Sequence, residues 1–448
     1  MELKPSLGFG GPPLACVQIV LAVTWAMLPT TYFHAPHSTQ PLPLSMSSSM
    51  KIDQIRAQFP GLAQDQVLAD NAAGSQVVAS CIESIRQYMA TTNVQPGFDY
   101  SPSQQAANLI DGSLEATARY INASADEVVF GYSTAQIVRA FSIALKFQPG
   151  DEVVLSKLDH ESHLSPWVQV AKWKGLTIRW WVPSRDTSTN PKLEADDLIA
   201  QGLVNTNTRV VCFTHTSNVL GSITNVAAVS RAIKSVNPET LVSVDGVAYA
   251  PHAPIDVQAF GVDFYFFSWY KVYGPHIATG FVARSAFPQL DYLGHYFLPK
   301  TSAQYILGLT SGSYEAIQSI STVIEYVNGV GWDWIEQQET ALQEELLRFV
   351  RSRDDIQLYG DPSSDRSTRV PVISFRVSGS SAGLVRELYA QSKCRPTADN
   401  YWARRLLEDV LRVDVNDGVI RCSFVHYNTV DEVKCLVQAL EKVLDRRT

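Results

Sequence analysis

The sequence predicts an α/β protein in which a large domain built on a mainly parallel sheet is followed by a smaller α+β domain. Three observations predict it. At 448 residues the chain is too long for one ordinary core and suits two domains. From Val128 onward, short apolar runs alternate with amphipathic stretches, the pattern of parallel strands covered by helices on both faces. Beyond about Leu293, long helical patterns and well-separated strands take over.

Taken in order, residues 1–49 differ in composition from the rest. Leu14 to Leu28 is largely apolar between Pro12-Pro13 and Pro29, shorter than the roughly 20 residues a membrane span needs. Lys4 with Glu2 nearby makes a poor signal n-region, and no tidy small-residue cleavage site follows. Positions 30–49 are rich in Pro, Ser, Thr and His, like a linker. A non-core extension or a start mis-assigned ahead of Met46 or Met50 is expected, with a cytoplasmic protein; a secretory or membrane signal stays open as the alternative.

Strands are predicted at 128–130, 152–156, 177–182, 209–213, 241–244, 264–267 and 279–283, with helices between them. One helix runs over 226–236 behind Asn225 as its cap. Helices at 314–327 and 332–351 lead to a strand at 372–377, a helix near 382–391 and a strand at 418–424. The closing helix carries Val433, Leu436, Val437, Leu440 and Leu444 on one face, behind a Thr429/Glu432 capping box. The large domain is placed at 50–295, with its first helix leaning on the small domain at 296–448.

Apolar residues make up 46% and charged residues 18%, a soluble globular balance. A net charge of −8 without a dense Lys/Arg run excludes nucleic acid as the expected partner. The 6 cysteines are scattered without a Cys-x-x-Cys pair, which fits reduced buried thiols and argues against a disulfide frame or a metal site.

The most informative stretch is Phe264-Tyr265-Phe266-Phe267-Ser268-Trp269-Tyr270-Lys271, closed by Gly274-Pro275. A buried strand delivers Ser268 and then Lys271 into a turn, just as Leu241-Val242-Ser243-Val244 delivers Asp245 followed by Gly246. A lysine and an aspartate at two strand ends suit pyridoxal phosphate, which needs an amine for its aldehyde and a carboxylate for its ring nitrogen. Further strand-end inventories follow: Gly131-Tyr132-Ser133-Thr134-Ala135 opening a helix, a natural phosphate seat; Asp159-His160-Glu161-Ser162-His163; and Thr214-His215-Thr216-Ser217-Asn218-Val219-Leu220-Gly221.

These motifs, with Pro251-His252 and Asp256-Val257, resemble the class V aminotransferase family and its cysteine-desulfurase-like branch, from roughly Asp70 to the C-terminus. The resemblance implies a fold type I pyridoxal-phosphate enzyme and a homodimer. It makes Lys271 the cofactor lysine and acid/base, and His160 the ring-stacking proton shuttle, an imidazole suited to change charge near neutral pH. Asn218 would face the phenolic oxygen and the substrate carboxylate, Asp245 the ring nitrogen, and Ser133, Thr134, Ala135, Ser268 and Tyr270 the phosphate. Ser311 falls where the family sends a hydroxyl across the dimer interface. Arg421, inside Val419-Ile420-Arg421-Cys422-Ser423-Phe424, matches the arginine that holds the α-carboxylate with a planar fork.

Departures are as informative. Ala135 stands where the family has Glu, Ala248 where it offers Gln to the cofactor, and Tyr270 where it has His. A desulfurase needs a loop thiolate. In Cys394-Arg395-Pro396-Thr397-Ala398-Asp399-Asn400-Tyr401-Trp402 the thiol position falls on Asn400 or Tyr401, and Cys394 lies on the wrong side of Arg395. Tyr401 is expected to close the pocket and orient substrate through its hydroxyl. The expectation is an enzyme that bonds a small amino acid or amine to pyridoxal phosphate and acts at Cα, Cβ or Cγ, similar to desulfurase-like enzymes of fungal alkaloid pathways such as that to the lolines. Two alternatives stand beside it: a cysteine desulfurase or C–S lyase using Cys394, and a non-catalytic partner protein that keeps the fold.

Overall fold

The computed structural model describes residues 48–184, 189–310 and 312–446, and of 48–50 the backbone alone. The expected extension therefore lies almost wholly outside the described residues, and so does Ser311. In chain order the strands are β1 (Val67–Leu68), β2 (Val128–Gly131), β3 (Glu152–Ser156), β4 (Thr177–Trp181), β5 (Thr208–Thr214), β6 (Leu241–Asp245), β7 (Phe264–Ser268), β8 (Ala278–Val282), β9 (Ile356–Tyr359), β10 (Val372–Val377), β11 (Cys394–Arg395), β12 (Thr397–Asp399) and β13 (Val419–Ser423).

The large sheet has 7 strands in the order β2-β8-β7-β6-β5-β3-β4. Strand β8 runs against β2 and β7, and the remaining pairings are parallel. Successive residues of each strand feed opposite cores: Val154, Phe213, Val244 and Tyr265 on one face, Val153, Cys212, Leu241 and Phe264 on the other. That two-sided burial explains why the strands read as nearly unbroken apolar runs. It also leaves polar side chains little room except at strand ends.

Helix starts follow those ends. Ser133 caps the helix Thr134–Ala144 by accepting the Gln136 N–H, and Asn225 caps Val226–Val236 in the same way through the Ala228 N–H. His160 caps Glu161–Lys174, which stops at Gly175 in the left-handed conformation. A second sheet, β12-β13-β10-β9, is antiparallel throughout. The helices Trp332–Arg351, Ser381–Gln391 and Val430–Leu444 join its core through Leu346, Leu388 and Leu436.

Two early segments reach across to later ones. Strand β1 pairs in parallel with β11, Val67 beside Cys394. In the helix Ser48–Arg56, Arg56 bridges to Glu432 at 2.8 Å and donates to the Tyr427 carbonyl at 2.7 Å.

Candidate active site

The carboxyl ends of β2, β3, β5, β6 and β7 share one edge of the sheet, and a cavity of about 150 Å³ opens there. Ser133, Thr134, Ala135, His160, Asn218, Asp245, Ser268, Tyr270 and Lys271 line it, so nine of the residues singled out in the sequence meet in one place. Ala248 lines it too, where a family glutamine was missing.

Lys271 closes a single 3₁₀ turn, Trp269–Lys271, directly after β7. Only 7% of the residue is exposed, and among the described residues its Nζ makes no hydrogen bond. Burial and the Arg421 guanidinium bring its ammonium down to about 8, against the opposing pull of Asp245 and Asp70. Asp245 ends β6, with its Oδ1 taking the Val247 N–H at 2.9 Å. Burial pushes its carboxyl up, and His163, the Val247 N–H and Lys271 pull it back. The next residue must be Gly246, because a Cβ there would run into the Tyr265 ring.

At the other side of the inventory, the helix Thr134–Ala144 presents its first N–H groups, free of helical partners, beside a Thr134–Ser268 hydroxyl pair at 2.7 Å. Thr216 Oγ1 is a buried cavity-lining hydroxyl without a partner among the described residues. An unpartnered amine, a buried carboxylate, an orphaned hydroxyl and a helix N-terminus are the donors and acceptors that pyridoxal phosphate requires. The residues fit the group.

His160 lines this cavity at the start of its helix. Burial first, then Lys271, Arg421 and His163, bring its imidazole down to about 3, so the ring stays neutral across the physiological range. Its Nδ1 accepts the Ser162 N–H at 3.0 Å, which puts the neutral ring's proton on Nε2.

A larger cavity of about 670 Å³ adjoins the first through His160, Asn218, Tyr270 and Lys271 and adds Asp70, Tyr401 and Arg421. Arg421, 2% exposed, donates through Nε and Nη2 to Asp70 Oδ1 at 3.0 and 2.8 Å, and through Nη1 to the Asn218 carbonyl at 3.0 Å. Its guanidinium lies 3.7 Å from the Tyr401 ring centre. Tyr401 thus lines the larger cavity with its ring face against Arg421. Its hydroxyl is turned to Thr397 at 3.1 Å and to the Val419 carbonyl at 3.3 Å, which corrects the expectation that it orients substrate. Tyr401 and Trp402 both have positive φ, 51° and 56°, and this kink lets the Trp402 carbonyl take the Glu161 N–H at 2.8 Å.

No cysteine lines either cavity among the described residues. Cys394 is buried in the core of the second sheet, its Sγ 3.8 Å from that of Cys435. Burial and the neighbouring Cys435 push its thiol up to about 12, far from a ready nucleophile. Sequence reasoning missed Asp70, the Arg421 partner, and a buried set formed by Asp159, His163 and Ser243. The available signals were Asp70 at the edge of the resemblance and the Asp159/His163 spacing of four.

The Aminotransferase class-V family model matches residues 67–436. The chain is 43% identical over 406 residues to the aminotransferase-like protein FGM3 of Gibberella zeae, spanning 89% of this chain and 100% of that protein. It is 34% identical over 411 residues to the cysteine desulfurase-like protein ustD of Aspergillus flavus, spanning 90% and 93%. The apo cysteine desulfurase from Thermococcus onnurineus superposes with a TM-score of 0.78 at 21% identity, over 88% of this chain and 98% of that one, and so shares the fold. With a buried strand-end lysine, a strand-end carboxylate and a family match over most of its length, the chain belongs to the class V aminotransferases and is a pyridoxal-phosphate-dependent enzyme.

Proposed function

We propose that this enzyme takes a small α-amino acid or amine into the outer cavity and acts at its Cα, Cβ or Cγ without abstracting sulfur, in a fungal secondary-metabolite pathway of the alkaloid-forming kind. The observation that carries the reading is that Lys271 and Arg421 share one cavity which no cysteine enters among the described residues. Relatives in two filamentous fungi, named aminotransferase-like and cysteine desulfurase-like, fit a fungal setting for the reading.

Bound pyridoxal phosphate supplies an electron sink that weakens the bonds at a substrate's Cα. The protein's own residues do the rest. Lys271 offers an amine brought down to about 8 by burial, which would hold the cofactor and could move protons at the substrate carbon. Asp245 would face the cofactor's ring nitrogen and favour its protonated form, and the Thr134–Ala144 helix start with Ser133 and Ser268 would hold the phosphate. His160 would stack on the cofactor ring, with Nε2–H as a donor. Arg421 binds the α-carboxylate, which must share or displace Asp70. A homodimer belongs to the same reading.

The test is a panel of α-amino acids and amines, cysteine included, added to the holoenzyme while its visible band and the products are followed. Small carboxylated amines should perturb the band, and cysteine should release little alanine or sulfide. Rapid alanine formation from cysteine, with a persulfide trapped on a cysteine side chain, would restore sulfur abstraction.

A further inference from the structure

Behind the cavity wall runs a chain of polar groups that the roles above do not use. His163 is 0% exposed, and Asp159, Ser156 and Ser243 are buried with it. His163 Nδ1 lies 2.7 Å from Asp159 Oδ1, and its Nε2 lies 3.0 Å from Ser243 Oγ. Asp159 Oδ2 accepts the Ser156 hydroxyl and, at 3.0 Å, the Thr214 N–H. Thr214 is the register partner of Asp245, and its Oγ1 reaches the Asp245 carbonyl at 3.4 Å. Ser243 stands two residues before Asp245 on the same strand and therefore on the same face.

The chain thus ties β3, the start of the helix Glu161–Lys174, β5 and β6 together directly behind one carboxylate. Packing alone does not call for such a set, since apolar residues of similar volume often serve a core as well or better. A fully satisfied buried network does fix geometry, and an imidazole polarised by a carboxylate shows positive character to what lies beyond it.

We propose that Asp159, His163 and Ser243 form a positioning relay for Asp245, fixing the strand end on which that carboxylate stands and placing positive character behind it. The relay rests on the proposed role of Asp245 toward the cofactor's ring nitrogen. Electrostatics set the two relay members against each other: burial raises the Asp245 carboxyl, His163 is the strongest influence bringing it back down, and the more weakly acting Asp159 carboxylate pushes it up. Other titratable groups here are Lys271, Tyr270 and Tyr265 toward Asp245, His160 and Asp159 toward His163, and Cys212 beside Ser243. Of these, Lys271 also pulls the Asp245 carboxyl down, and it spends its amine on the cofactor.

The experiment uses holoenzyme loaded with cofactor ¹⁵N-labelled at the ring nitrogen and compares wild type with His163→Gln and Ser243→Ala. In His163→Gln the cofactor should stay bound, kcat should fall about tenfold or more with KM changed by less than about twofold, and the ring-nitrogen resonance should move toward its unprotonated position. Ser243→Ala, a small change in volume, should move the resonance the same way by less. A folded His163→Gln enzyme with wild-type kcat and resonance overturns the relay; if that variant does not fold, an unmoved resonance in Ser243→Ala overturns it. An unprotonated ring nitrogen in the wild type refutes the role given to Asp245, and the relay with it.

Discussion

At Lys271 burial and two kinds of neighbour pull in opposite directions. Desolvation and Arg421 favour the neutral amine, Asp245 and Asp70 favour the ammonium, and the balance settles at about 8. An ordinary lysine near 10.4 is neutral in only about one molecule in 2,500 at pH 7, whereas one at 8 is neutral in about one in ten. The neutral form is the nucleophile, so the rate at which apoprotein takes up the cofactor should climb with pH and level off above about 8. Stopped-flow absorbance across pH 6 to 11 checks this; a rate still climbing to about 10.4 would mean that the amine is not buried as described. The residues at strand ends were legible in the sequence because apolar runs on both sides leave them conspicuous. His160 was legible in position and not in electrostatic setting, since its pull toward neutrality comes first from burial and then from Lys271 and Arg421, both distant in sequence. Tyr401 was legible as a pocket residue, while its hydroxyl partners, Thr397 and the Val419 carbonyl, were not.

At the scale of elements, the close approach of β6 and β7 sets which side chain can follow Asp245. A Cβ at Gly246 would overlap the ring of Tyr265, which cannot swing away while its hydroxyl holds His215 Nδ1 at 2.8 Å. Gly246→Ala should therefore cost roughly 1–3 kcal/mol and loosen the cofactor by shifting Asp245. Gly112, inside the helix Ser101–Tyr120 with nothing within 4 Å of an added Cβ, is the contrasting site. There Ala should stabilise by about 0.5–1 kcal/mol. Thermal unfolding of both variants, with cofactor content measured alongside, reads the two signs. A Gly246→Ala protein as stable and as well loaded as wild type would show that this turn is slacker than the structure has it. The seven strands of the large sheet were legible for the reason that makes them rigid, burial on both faces. Short β1, β9, β11 and β12 were not, because two to four residues carry no period and their pairing comes from remote chain.

For the whole molecule, the arrangement turns on one edge of the large sheet meeting Arg421 from the antiparallel sheet. Asn218 and Arg421 join the two, its carbonyl taking Nη1 and its Nδ2 donating to the Tyr401 carbonyl at 2.9 Å. A division into domains near residues 295–296 is proposed on the change of pattern there. The α/β class and its cofactor were legible because several separated motifs agree; the way Asp70 pairs with Arg421 was not, because it needs the fold to bring residues 351 apart together. The most direct test of the account is to reduce the purified holoenzyme with borohydride, digest it and locate the pyridoxyl mass. The account predicts loss of the visible band, the label on Lys271, and neither band nor label in Lys271→Ala. A label on any other lysine, or a Lys271→Ala enzyme turning over at the wild-type rate, would contradict it.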